Sequence, residues 1–175
     1  MSPNGDQAYF GKGMADQLIN DLVPLDGLRV APSTSSSMLK GANKSLSEIA
    51  EALNVATILD GSIRKEGDQI RITAQLINIA DNEILWSEIY DRKFEKIFDI
   101  QIEIATKVTG KLGVTLDVGG VNAFQGAGTR NIEAYEEFLK APRIFGSEIG
   151  IRHLKRAIEL DPNYAAAWSW LSFCT

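Results

Sequence analysis

Residues 70–76 alternate without interruption: Ile70, Ile72, Ala74 and Leu76 are apolar, and Arg71, Thr73 and Gln75 between them are polar. Successive side chains on a strand point to opposite faces, so this is the period of a strand with one face buried and one face wet. Its flanks supply neighbours. Ala56 to Arg64 reads as a strand, Glu66-Gly67-Asp68 as a hairpin turn, and Asp81-Asn82 as the turn into a further strand from Ile84 to Tyr90. Three consecutive strands of this kind form a meander.

The segment before the meander reads as a helix–strand–helix unit. Over residues 7–24, Phe10, Met14, Leu18 or Ile19, and Leu22 recur at helical spacing, with Asp16, Gln17, Asn20 and Asp21 on much of the other face. Pro24 and Gly27 close that helix. Leu28 to Ala31 is expected as a short strand ended by Pro32, and Ser33 to Ser37 as a polar loop. Ser45-Leu46-Ser47-Glu48 has the pattern of a capping box opening the next helix, whose buried face is Ile49, Ala50 and Leu53. After the meander, Phe94 to Leu116 is a long helix with Ile97, Phe98, Ile104, Ala105, Val108 and Leu112 on one side.

Asp117 to Thr129 carries Gly119, Gly120, Gly126 and Gly128 and little periodicity, the pattern of a linker. Beyond it the chain reads as helix only: 131–141, 148–160 and 164–175. The expected organisation is an α+β (α/β-like) domain over 1–116, a Gly-rich linker over 117–130, and an all-α segment over 131–175. The domain's sheet is expected to be mixed, with about four strands: a βαβ-type half and the meander, packed by helices.

The all-α segment carries a repeat signal. Ala157-Ile158-Glu159-Leu160-Asp161-Pro162-Asn163-Tyr164 has the small residue and helix-breaking proline that end a tetratricopeptide repeat. Trp168, Leu171 and Ser172 follow the proline by six, nine and ten residues, where the next repeat wants Trp, Leu and a small residue. The expectation is one degenerate repeat plus the first helix of another. Repeats bury their apolar faces on neighbours. Tyr135, Phe138, Trp168, Trp170, Leu171 and Phe173 are therefore the candidate surface for a protein or peptide partner, or for a second copy of the chain. Both ends read as open, the signature of a fragment of a longer protein.

Composition narrows the partners. With 18 Lys+Arg against 23 Asp+Glu the formal net charge is −5, the wrong sign for a nucleic-acid footprint. No run approaches the length of a membrane span, and the first residues lack a signal peptide's charged and apolar regions. Cys174 is the single cysteine, which excludes an intrachain disulfide and fits a reducing compartment. A cytoplasmic place is favoured over a periplasmic one, which would need a span upstream in the parent.

Catalytic candidates are few. His153 is the single histidine and lies between Arg152 and Leu154 on a helix, more a packed or solvated side chain than a base. Without Cys or His clusters, neither a transition-metal site nor a cofactor is expected. Gly11-Lys12-Gly13 lacks the rest of a phosphate loop. Asp60-Gly61-Ser62 reads as a strand irregularity rather than a nucleophile. Trp86 and Tyr90 share a strand face and read as core. Ser33, Thr34 and Ser35 could offer hydroxyls to a small ligand at a strand's C-terminal end.

With both halves in view, the chain resembles the TolB-N-like α/β domain that bacteria place ahead of tetratricopeptide arrays. The runs that carry this are Gly5 to Phe10, Gly13 to Leu18, Leu59 to Arg64, Asp68 to Ile77 and Leu85 to Arg92. In that family the domain follows an adenylate/guanylate cyclase domain or a winged-helix domain. The resemblance implies a non-catalytic interaction or sensory module of a bacterial signalling protein, with a small-molecule sensor coupled to the repeats as the alternative. The family also opens on an apolar strand that this sequence does not contain, which implies a sheet with an unpaired edge.

Overall fold

The computed structural model describes residues 3–39 (side chains from residue 10), 44–114, 128–141 and 146–174. The chain divides into two compact units: Met14–Ala123, and Met1–Gly13 together with Phe124–Thr175. Most of the Gly-rich segment expected as a linker, and the spacing around Ala141 to Gly146, fall outside the described residues.

Helix α1 runs Pro3–Leu22, and the division between the units falls within it. Its apolar stripe is buried as expected at Phe10, Met14, Leu18 and Leu22. Three of the four residues on the expected polar face are not wet, however: Asp16, Gln17 and Asp21 are buried too, and Asn20 alone is exposed. At 3.6 residues per turn, Asp21 falls between Phe10 and Met14 in azimuth, inside the stripe rather than opposite it. Gln17 Nε2 donates to Asp21 Oδ1 at 2.9 Å, giving that carboxyl one partner in place of water.

Within Met14–Ala123, two expectations are corrected. Leu28 to Ala31 has no regular secondary structure and joins no strand ladder, so the described sheet has three strands rather than four. Ser33 to Ser37 is not a loop but most of helix α2, Ser33–Leu39. Proline at position 32 suits a chain entering a helix. The hydroxyl of Ser36 then donates to the carbonyls of Pro32 and Ser33, and that of Ser37 to Ser33, which ties the serines into the helical turn. Helix α3, Leu46–Leu53, starts on the expected capping box. Glu48 N–H donates to Ser45 Oγ at 3.3 Å and Ser45 N–H to Glu48 Oε2 at 2.7 Å. The Ser45 N–H and the Ser45 hydroxyl, both donating to Glu48 Oε2, hold the Glu48 carboxyl below its ordinary pKa. Asn54, left-handed at φ 51°, ends the helix.

The sheet is the expected meander, in the order β1 (Thr57–Glu66), β2 (Gln69–Asn78), β3 (Glu83–Lys93), antiparallel throughout. Gly67-Asp68 closes the first hairpin, with Gly67 at φ +60°. Asn82, at φ 51°, precedes β3. The alternation read from sequence is the alternation of burial: Ile70, Ile72, Ala74 and Leu76 are buried. Leu59, Ile63, Trp86 and Tyr90 lie opposite members of that set and share its face. Each fully buried isoleucine or leucine there contributes roughly 1.5–3 kcal/mol over leaving it exposed. One residue of β3, Leu85, is extra where the register shifts between Leu76 and Ile77. A 3-10 turn, Phe94–Lys96, leads into α4, Ile97–Lys111. Ile97, Phe98, Ile100, Ile104, Ala105 and Val108 of α4 are buried, and the helix packs on β2 and β3.

The other unit contains α5 (Ile132–Lys140), α6 (Glu148–Leu160) and α7 (Ala165–Cys174), each packed on the next. Asn131 caps α5, its Oδ1 accepting from Ala134 N–H at 3.1 Å. Its Nδ2 donates to the carbonyl of Leu160 at 3.0 Å, so the start of α5 is tied to the end of α6. Thr129 adds a hydroxyl bond to the Asp161 carboxylate. Ala134, Ala157 and Ala167 are fully buried, so these helices meet at small residues. Phe138 and Tyr164 pack ring against ring at 5.0 Å. The molecule is thus α+β, with seven α-helices and a three-stranded antiparallel sheet among the described residues.

Candidate functional site

The six residues expected to form a partner surface divide in two. Tyr135 and Phe138 are buried, 1% and 7% exposed, and belong to the core of the helical unit instead. Their spacing on α5 marked them as apolar, but spacing alone does not say which apolar face is covered. On α7, by contrast, Trp168 is 52% and Phe173 60% exposed, while Trp170 and Leu171 are half-buried. Trp168 Nε1 donates to the carbonyl of Pro162 at 2.9 Å, which fixes the indole against the turn before α7. The Trp170 and Phe173 rings meet edge-on at 6.4 Å. Ile149, on α6, is a further large apolar side chain left open. An apolar helix with rigidly held aromatics is well suited to burying a partner's apolar side chains, because little side-chain entropy remains to lose.

The serine segment loses the geometry that suggested a ligand loop. Ser33, Thr34 and Ser35 open the seven-residue α2, and the residues leading into it, 28–32, form no strand. Nothing in α2 is buried.

His153 packs between helices. Its Nδ1 lies 2.7 Å from Glu137 Oε2, and Lys140 Nζ donates to Glu137 Oε1 at 2.8 Å. Partial burial alone would raise the Glu137 carboxyl's pKa. The hydrogen bonds from Lys140 and His153 outweigh that and hold it below its ordinary value. The bond between Glu137 on α5 and His153 on α6 ties the two helices together.

Asp60-Gly61-Ser62 lies in a ladder whose register runs unbroken from Thr57 to Glu66, not in an irregularity. Ser62 Oγ is 2.8 Å from Thr73 Oγ1, a hydroxyl pair across the strands. Gly11-Lys12-Gly13 is helical, inside α1. Tyr90 is buried, and Trp86 half-buried, as core side chains. Burial first, and the Glu88 carboxylate beside it, push the Tyr90 hydroxyl's pKa above its ordinary range. Among the described residues, no three His, Cys, Asp or Glu side chains cluster to hold a metal ion, and no helix is long and apolar enough to cross a membrane.

No family model matches the chain. It is 33% identical over 178 aligned residues, 98% of its own length, to the protein named "Putative adenylate cyclase 3" of Rhizobium meliloti (strain 1021). The chain spans 30% of that relative's length.

Proposed function

We propose that this chain is a non-catalytic interaction module of a bacterial signalling protein, acting in the regulation of a nucleotide cyclase. Its sheet unit is a TolB-N-like domain, and its three C-terminal helices are a tetratricopeptide-type segment that takes a protein or peptide partner. The observation that carries the reading is α7, a helix whose Trp168 and Phe173 stand open beside half-buried Trp170 and Leu171. The likeness to a protein named as an adenylate cyclase supports the signalling context. The roles found for His153, in a clamp between helices, and for Ser62, in a cross-strand pair, support a non-catalytic reading of the residues that could have suggested an enzyme.

The test uses the Rhizobium relative with and without the region this chain matches. Removal is expected to leave conversion of ATP to cyclic AMP intact and to change how that output responds to the cell's signals. A truncated protein without any cyclase activity, or turnover of ATP by this chain alone, overturns the proposal.

A further inference from the structure

The chain contains the sequence Asp-Gly twice, at Asp26-Gly27 and at Asp60-Gly61. In such a pair the glycine nitrogen can close a five-membered ring on the aspartate Cγ, and no Cβ on the glycine shields it. Whether the ring forms depends on how freely the peptide unit between the two residues can rotate. Asp26 and Gly27 follow α1. The Leu28 N–H donates to the Leu25 carbonyl at 3.3 Å, closing a turn in which Gly27 sits at φ +82°, the arrangement of a type II turn. Both residues are exposed, and a Cβ at Gly27 would meet nothing within 4 Å. Among the described residues, neither the Asp26 carboxyl nor the Gly27 N–H has a hydrogen-bond partner. Rotating the peptide between them therefore disturbs at most the one hydrogen bond of the turn.

Asp60 and Gly61 are held in the opposite way. They lie inside β1, opposite Gln75 and Ala74 of β2, in a register that runs unbroken from Thr57 to Glu66. The Asp60 carboxylate also accepts from Gln75 Nε2 at 3.2 Å. In an extended strand the side chain is turned away from the following nitrogen, so bringing Cγ onto it means pulling this stretch out of the ladder. Asp60 can close the ring only when the strand opens.

We propose that Asp26 is a site of spontaneous covalent modification, where the folded chain isomerises to isoaspartate through a cyclic imide with Gly27. The Gly27 nitrogen bonds to Asp26 Cγ, and its proton leaves with the hydroxyl of the carboxyl as one water. Water then adds to one of the two imide carbonyls. Addition at Cγ breaks the new bond and restores aspartate. Addition at the main-chain carbonyl carbon breaks that carbon's bond to the Gly27 nitrogen, and the chain now runs through Cγ. One water is lost and one is gained, so the mass is unchanged and water is the sole co-reactant. The product carries a free carboxylate in place of the main-chain carbonyl and one extra methylene in the turn. That added length falls on a short span fixed on both sides. Leu25 is buried before it, and the Arg29 guanidinium after it donates to the Asn54 carbonyl at 3.3 Å. This chemistry depends on neither the cyclase context nor the α7 surface.

Ageing the whole chain for weeks in mildly acidic buffer, folded and in denaturing urea, tests the assignment. The samples are digested and mapped by liquid chromatography and mass spectrometry. Isoaspartate appears as a peptide of unchanged mass and altered retention that resists an endoproteinase cutting before aspartate. In the folded chain it is expected at Asp26 roughly tenfold or more faster than at Asp60, because only Asp60 must wait for a strand to open. In urea the two Asp-Gly pairs should react at similar rates, since the same two residues then stand in unfolded chain. Asp26→Glu, which would have to close a six-membered ring, should abolish the shifted peptide, with circular dichroism confirming that the variant folds. A folded chain in which Asp60 converts as fast as Asp26 overturns the proposal. So does an Asp26 that stays unchanged in the folded chain while both pairs convert in urea, or a shifted peptide that persists in Asp26→Glu.

Discussion

The carbonyl oxygen of Thr73 occupies the space that a side chain at Gly61 would need: a Cβ there would lie 2.3 Å from it. The obstruction is backbone in the central strand and cannot rotate away. Gly61→Ala should therefore cost about 2 kcal/mol or more, as overpacking does when nothing can yield. Gly67→Ala provides the comparison, since a Cβ there meets nothing within 4 Å and only the positive φ is strained. Its cost should be nearer 1 kcal/mol. Urea denaturation of the two variants side by side measures the difference, and equal costs would refute the steric account.

Asp21 makes the stability of the chain depend on pH. Burial raises its carboxyl from 3.8 to about 6, against the lowering effect of the Gln17 hydrogen bond. A raised pKa means that the fold favours the protonated acid. The stability linked to this group is therefore full below the ordinary carboxylate value and is lost as pH rises through about 6. Asp21→Asn keeps an acceptor for Gln17 and removes the charge. It should stabilise the chain on the order of 2 kcal/mol at pH 8 and change little at pH 4. Denaturant midpoints at the two pH values test the sign directly.

Glu137 works in the opposite direction. Its carboxyl is held below the ordinary range, so the stability it contributes is present above that range and fades as pH falls through it. Glu137→Gln should cost about 0.5–1 kcal/mol at neutral pH, because the side chain loses its ion pair with Lys140 and weakens its hydrogen bond with His153 at a partly exposed site. The difference from wild type should shrink in acid. A cost that is the same at both ends would show that the Glu137 carboxylate's charge contributes nothing.

Gly13 tests close helix approach within the helical unit. A Cβ added there would lie 1.9 Å from Leu139 Cδ2 and 3.2 Å from its Cγ. Alanine is favoured over glycine in a helix by about 1 kcal/mol, so a clash relieved by a change of Leu139 rotamer would leave Gly13→Ala near neutral. A clash that cannot be relieved makes it destabilising, and that is the expectation, because Leu139 is itself buried. A double-mutant cycle with Leu139→Ala should show strong positive coupling. Additive effects would place Leu139 outside the path of the new methyl.

The most legible parts of the chain were those in which one local pattern settles the structure. Residues 70–76 alternate in sequence and alternate in burial, and Ser45 and Glu48 make the capping box their spacing spells. Three readings were lost where tertiary packing decides. Leu28 to Ala31 has a strand's composition but gains no ladder partner. Ser33 to Ser37 has a loop's composition, yet its hydroxyls satisfy backbone carbonyls within a helix. On α5, apolar spacing found Tyr135 and Phe138 but not that both are buried.

One miss could have been avoided. Asp21 lies within the azimuth of the Phe10–Leu22 stripe and Gln17 at its border, so a full helical projection places them on the buried side. Reading only the apolar steps left the carboxyl on the wet face. For the α7 surface, sequence named Trp168 and Phe173 as candidates, and both are exposed, because aromatics on a short helix with few polar residues have little to hide behind. Which four of the six candidate side chains remain accessible is a property of packing between helices that no spacing records.

The meander has a consequence for how fast this unit assembles. Each of its strands pairs only with its neighbours in the chain, the first two across a turn of two residues. Few residues must be closed into loops before pairing begins, so the sheet can start to form from one short stretch of chain. Hairpin closure takes on the order of microseconds. The β1–β2 hairpin can therefore zip from Gly67 outward before α4 arrives to cover it, and for that interval its apolar face is open to whatever else is in solution.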